Sequence, residues 1–203
     1  MQHSMEWRAC RWNFSGHMGL LTTGAVGGIT AGIEYSIMPL RLPQRVCKDT
    51  VREFRAAAAE RYLDACILAH EGRRTAAIYL WGYVVEMMLK AAYFSAFGYD
   101  PDEEITRADL VAARHLAPSL GLIWTGNLHS IHDWGQLLVR TRASVPGLAY
   151  SDAAFASRVA TTAYRIALLW TEILRYHKSV AYRHEVRQVS EAVEWFWDSH
   201  DLL

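Results

Sequence analysis

The stretch AAIYLWGYVVEMMLKAAY, residues 76–93, is apolar nearly throughout, yet Gly82, Glu86 and Lys90 sit near its centre. Wound as an α-helix, it places Tyr79, Tyr83, Glu86 and Lys90 at i, i+4, i+7 and i+11, on one face. Ala77, Leu80, Val84, Met87, Ala91 and Phe94 make a second, wholly apolar face. A helix with large nonpolar side chains on two faces belongs inside a bundle. Gly82 costs up to about 1 kcal/mol relative to alanine in a helix interior, so the reading expects another helix to approach it closely. A buried Glu86 needs a partner, because an isolated buried charge is expensive to desolvate. Lys90, one turn on, is the local candidate; an arginine fork from another helix is a better one. The alternative is a solvated i,i+4 pair worth about 0.3–0.5 kcal/mol.

Helical periodicity extends outward from this stretch. Val51, Phe54, Ala58, Tyr62, Ala65 and Leu68 form one apolar stripe, with Gly72 placed to end its helix and Thr75 to start the next. After Gly98 the run YDPDEE is an acidic turn. Residues 99–128 then read as a long connection, with a short helix near Arg107 to Leu116. A third helix begins at His129 to Asp133 and runs to about Arg142, and SVPG breaks the chain. Ser151 or Asp152 is the expected cap of a fourth helix. Phe155, Val159, Thr162, Ile166, Leu169, Ile173 and Tyr176 step by fours and threes, predicting one continuous seam through Tyr176. Val186, Val189, Val193 and Phe196 mark a fifth helix. No stretch alternates with period two for long enough to form a sheet. The expected fold is all-α, an up-and-down bundle of four to five antiparallel helices over residues 46–203.

Residues 1–45 differ from the rest. They lack helical periodicity, are rich in glycine and end in MPLRLPQRV, so they read as an irregular leader, either disordered or upstream of a later start at Met18 or Met38. MGLLTTGAVGGITAGI, residues 18–33, is uncharged but only 16 residues long with five glycines, too short and too poor a helix former for a membrane span. Arg8 and Arg11 precede it as in a secretion signal, but glycine dilutes the apolar block and Glu34 follows it, so it does not read as one. Its glycines lack the Lys-Ser/Thr of a phosphate-binding loop. Twenty-one cations balance 21 anions, which gives no bulk attraction to nucleic acid or membrane. Cys10, Cys47 and Cys66 lack CxxC spacing and fit ordinary thiols in a reducing, cytoplasmic setting. His129 and His132 have no acidic or thiolate partner at zinc spacing other than Asp133, and no metal or cofactor is expected. In the tail, Trp195, Phe196 and Trp197 cannot all face one core. One ring is left for a dimer contact or for partial burial on a neighbouring helix.

Three motifs in order carry a family resemblance. Gly82, Glu86 and Leu89-Lys90-Ala91 resemble the helix typical of HEPN domains. His132-Asp133 followed by Leu137-Leu138 is similar to the opening of a later helix of that family, and Trp170 to Tyr176, WTEILRY, to its Trp and Arg-Tyr signature. The resemblance covers residues 48–197. It implies a bundle of about four or five helices, frequent homodimers and one of two lives. One is an RNA-cutting toxin or defence factor with Arg, four to six residues, then His. The other is a binding module without that signature, often beside a nucleotidyltransferase. In the Arg-x4-His-x-Tyr version, Arg175 and Tyr182 are kept but Val180 stands in place of the His. Valine cannot move a proton. Arg11 and His17 have a fitting spacing but sit in the leader.

The leading expectation is therefore a non-catalytic, dimeric HEPN-like module of a toxin–antitoxin or defence system. It would dock a nucleotidyltransferase or a nucleotide through Glu86, Lys90, Arg175, Tyr176 and His132, with the guanidinium of Arg175 arriving at Glu86. The alternative is a metal-independent ribonuclease using Arg175, a displaced His177 and Tyr182, with RNA as its substrate. A second alternative is a purely structural helical oligomer.

Overall fold

The computed structural model describes residues 48–150 and 152–203. The leader over residues 1–45, Cys10, Cys47 and the alternative cap Ser151 lie outside the described residues. The described residues contain six α-helices and no strand, as an all-α chain requires.

Helix α1, Val51–His70, opens where the Thr50 hydroxyl accepts a hydrogen bond from the Glu53 N–H at 3.1 Å. Val51, Ala58, Tyr62 and Ala65 turn inward, and Phe54 and Leu68 pack at the edge of the same core. Gly72, at φ +74°, makes the tight turn into α2, Arg74–Ala96. Fifteen of the residues of α2 are buried, and α1 together with the later long helices packs against it. The two-faced pattern of residues 76–93 thus places this helix at the centre of the bundle.

The acidic turn after α2 folds back onto the start of α1. Arg52 holds Asp102 through two bonds of 2.6 and 2.8 Å, and Lys48 reaches Glu104 at 2.5 Å. Both pairs are exposed, so solvent screens them and each adds little to stability. They fix the path of the connection more than the stability of the fold. Helix α3, Arg107–Leu116, follows a reciprocal cap between Thr106 and Asp109 and runs into a short 3-10 turn, Ala117–Leu120. Helix α4, Ile131–Ser144, is capped by Ser130, whose hydroxyl accepts from the Asp133 N–H. Asp152 caps α5, Ala153–Ala167, by accepting from the Ala154 N–H at 2.7 Å. Helix α6, Arg183–Asp198, buries Val186, Val189, Val193 and Phe196 along its inner edge.

The expected seam through Tyr176 stops early. Helix α5 ends at Ala167, and Glu172–Tyr176 is a separate 3-10 turn capped by the Thr171 hydroxyl. Ile173 and Tyr176 are exposed rather than buried. Trp170 is the physical reason. Its indole leaves the helical course to fill the space above Gly82, and its Nε1 donates to the Tyr79 carbonyl oxygen at 2.9 Å. The approach expected at Gly82 is therefore an indole from a loop, not a helix backbone.

The tail resolves within a single chain. Phe196 is fully buried, Trp197 stacks on Tyr62 with centroids 4.7 Å apart, and Trp195 packs on Phe155 beneath the Arg158 guanidinium. Each half-buried tryptophan thus lies against a neighbouring helix.

Candidate functional site

Glu86 and Lys90 are turned inward because the apolar side chains on both sides of α2 leave them no route to solvent. Their side chains are 3% and 7% exposed, and Lys90 Nζ lies 2.5 Å from Glu86 Oε1. A solvated surface pair is excluded by that burial. The further partner expected from Arg175 is instead His129, from the connection before α4, whose Nδ1 lies 2.9 Å from the same Oε1. The other carboxylate oxygen, Oε2, is buried and has no hydrogen-bond partner among the described residues. Lys90 also lies 5.5 Å from the Trp134 ring centroid, which adds a cation–π attraction. The hydrogen bond to Glu86 holds the His129 imidazole above its ordinary pKa, against an opposing contribution from burial.

An aromatic wall stands beside this centre. A Cβ on Gly82 would come within 2.0 Å of the Trp170 ring, so only glycine admits the indole there. Tyr83 meets Trp170 edge-on at 5.4 Å, Tyr79 at 5.0 Å and His129 at 6.2 Å. Burial first, and then a hydrogen bond with Tyr79, push the Tyr83 hydroxyl well above its usual pKa.

Arg175 reaches the rim of this wall, not its interior. Its guanidinium lies 4.6 Å from the Tyr176 ring centroid and interacts with Tyr79. Arg175 and Tyr176 are exposed. The early end of α5 explains the miss: a residue on the 3-10 turn is carried outward instead of being aimed into the bundle. Asn127 and Glu172, joined at 2.5 Å, tie this turn to the connection bearing His129.

His177 is exposed, and among the described residues its ring has no hydrogen-bond partner. Tyr182 is exposed and stacks on His184, while its backbone N–H donates to Glu185. Val180, at the position of the missing His, is exposed too, and its N–H donates to the Thr75 hydroxyl at 2.8 Å. The Ala181 N–H donates to that same hydroxyl at 3.0 Å.

His132 stands apart from the Glu86 centre. Its Nδ1 is 3.4 Å from Asp133 Oδ1, and its ring meets Tyr164 edge-on. The neighbouring Asp133 is the anchor of this region: buried, it accepts from the backbone N–H of Gly126 at 2.8 Å and of Thr125 at 3.2 Å. Sequence reasoning missed both Asp133 in this role and His129 as the carboxylate's partner. The available signal was position: His129 immediately precedes the Ser130 cap, so the start of α4 fixes it.

Lys90 and His129 also form the inner wall of an open cleft of about 1160 Å³ that extends to α3. Arg107, Arg114 and His115 line its opposite side. His132 lines a smaller cavity of about 270 Å³ that shares Leu122, Ile123 and Trp124 with the larger one. Among the described residues no three His, Cys, Asp or Glu side chains converge as a metal site would require, and no helix is long and apolar enough to cross a membrane. No family model, curated protein or solved structure matches the chain.

Proposed function

We propose that this chain is a non-catalytic helical binding module of the HEPN type. It acts as a homodimer in a toxin–antitoxin or defence setting, and its partner is a nucleotidyltransferase or a nucleotide. The observation that carries the reading is the division between a buried Glu86–Lys90 pair and an exposed polar rim. Glu86, at 3% exposure, is spoken for by Lys90 and His129, which suits a rigid support better than a proton shuttle meeting substrate. Arg175 and Tyr176 present a stacked cation and ring on the surface above it, an arrangement suited to contacting a partner. Val180 offers no titratable group where the ribonuclease signature has its His.

The test combines two measurements on the purified chain. Light scattering after size exclusion is expected to give twice the 23.0 kDa chain mass. Incubation with total RNA is expected to leave the RNA intact for wild type and for Arg175→Ala alike. RNA cleavage by wild type that Arg175→Ala or His177→Ala abolishes overturns the reading in favour of a ribonuclease. A monomer removes the dimeric part of the proposal.

A further inference from the structure

We infer that the cleft between α3 and the 121–129 connection binds a small organic anion, with a phosphate-type headgroup carried on a flat apolar body. This inference rests on the cleft alone and stands whether or not the family reading holds.

The charge argument comes first. Arg107, Arg114 and His115 are at i, i+7 and i+8 of α3, so one face of that helix delivers all three to the cleft. Among the described residues none of the three has a carboxylate partner, although the chain as a whole carries as many anions as cations. Lys90 and His129 line the same cleft, and among the described residues no Asp or Glu does. Glu86, just behind the cleft, already accepts from Lys90 and His129 through Oε1, and Glu172, also near His129, is held by the Asn127 side chain. Cations gathered in a concave site with low-dielectric walls focus the local potential and raise the concentration of an anion there. Guanidinium forks bind carboxylate and phosphate alike, and several cations in one cleft favour the anion with more oxygens and more charge, a phosphate.

The apolar surfaces define the rest of the ligand. Leu110 and Val111 of α3 face Leu122, Ile123 and Trp124 across the cleft. Ile123 is 85% exposed, with nothing of the described chain covering it. Trp124 is held in place by donation from Nε1 to the Asn127 carbonyl oxygen at 3.2 Å and by an edge contact with Trp134 at 5.3 Å. A ring fixed in this way is a ready stacking platform for a planar group. The volume, about 1160 Å³, is somewhat larger than the roughly 300–1,000 Å³ of usual small-molecule sites, but the cations are gathered in one cleft rather than spread along a stripe. That gathering favours a compact ligand over a polymer.

Calorimetric titration of the full chain with 1-naphthyl phosphate, inorganic phosphate and 1-naphthol tests the inference. The aryl phosphate is expected to bind at least about tenfold more tightly than either half alone. Arg107→Gln and Arg114→Gln are each expected to weaken it about tenfold, the loss of one charge-assisted hydrogen bond. Both positions are exposed, so unchanged thermal melts certify that the variants fold. Arg183→Gln, with the same change of charge outside the cleft, is expected to leave binding as it was. Absence of binding, or equal binding by the double variant Arg107→Gln/Arg114→Gln, overturns the inference. So does tighter binding of a ten-nucleotide single strand through the same two arginines, which would assign the cleft to nucleic acid.

Discussion

The middle of α2 and the segment from Leu168 to Tyr182 hold polar residues of similar kinds and treat them in opposite ways. In α2, an acid and a lysine are shut among apolar side chains while a half-exposed imidazole reaches in from the connection before α4, and one carboxylate oxygen serves both donors. In the later segment, an arginine, a tyrosine and a histidine stand in solvent on a 3-10 turn and an irregular run. Trp170 touches both regions, filling the space over Gly82 while starting the turn that displays Arg175. The contrast separates two uses of charge. Where burial is complete, a polar group must be satisfied internally and becomes part of the scaffold. Where it is exposed, its contribution to stability is small and its partner can come from outside.

The strongest way to break this contrast is Glu86→Ala. Removing the carboxylate leaves Lys90 buried without its counter-ion, at an expected cost of about 3–5 kcal/mol in urea unfolding. Replacing both Glu86 and Lys90 by methionine is expected to cost less than the single change, because no charge is then stranded. A single-variant loss below about 1 kcal/mol would mean the pair behaves as a surface pair, and the distinction between the regions would collapse.

Gly82→Ala comes next and probes the joint between the regions. Alanine gains up to about 1 kcal/mol in helix propensity, but its Cβ evicts Trp170, for a net loss of about 1–3 kcal/mol. Amide exchange should quicken across Leu168 to Tyr182 and hold steady in α4. A variant as stable as wild type, with slow exchange in that segment, would show that Trp170 does not tether it.

The smallest effect concerns His129. Its folded pKa lies above the reference value of 6.5 because of the Glu86 hydrogen bond. The stability it contributes is therefore fully present below about pH 6.5 and fades as pH rises through the folded value. The stability difference between wild type and His129→Gln should shrink between mildly acidic and alkaline buffer. A difference that grows with pH would reverse the assigned sign and remove the imidazolium from the centre.

Much of the fold was legible because it depends on local period and caps. The two-faced run at 76–93, the glycine at 72 and the 3-4 spacing of Val186 to Phe196 specify helices, turn and inward faces by themselves. The Glu86–Lys90 pairing was legible for the same reason, since i,i+4 spacing is a local fact, but the sequence left open whether the pair turns inward or stays solvated, and packing decides that. His129 was not legible as its partner, because the path of a 14-residue connection from Ala117 to Ser130 decides where that imidazole lands. The end of α5 was hidden likewise. Leu169, Ile173 and Tyr176 keep the helical period in sequence, yet the fit of one indole over a glycine on another helix overrides it. The cleft stands between these cases. The spacing of Arg107, Arg114 and His115 predicts a shared face, but nothing local tells what stands opposite.

The Thr75 hydroxyl carries one more consequence. It receives two consecutive backbone N–H groups, from Val180 and Ala181, while the Trp170 indole is moored to the Tyr79 carbonyl four residues further along the same helix. Residues 171–179 therefore form a bow strung between two pegs on the first turns of α2. Extra residues spliced into such a bow would cost little, since lengthening a closed loop is entropically cheap. Cutting the Thr75 peg, by contrast, would free the end of the span beyond the turn that Glu172 still ties to Asn127.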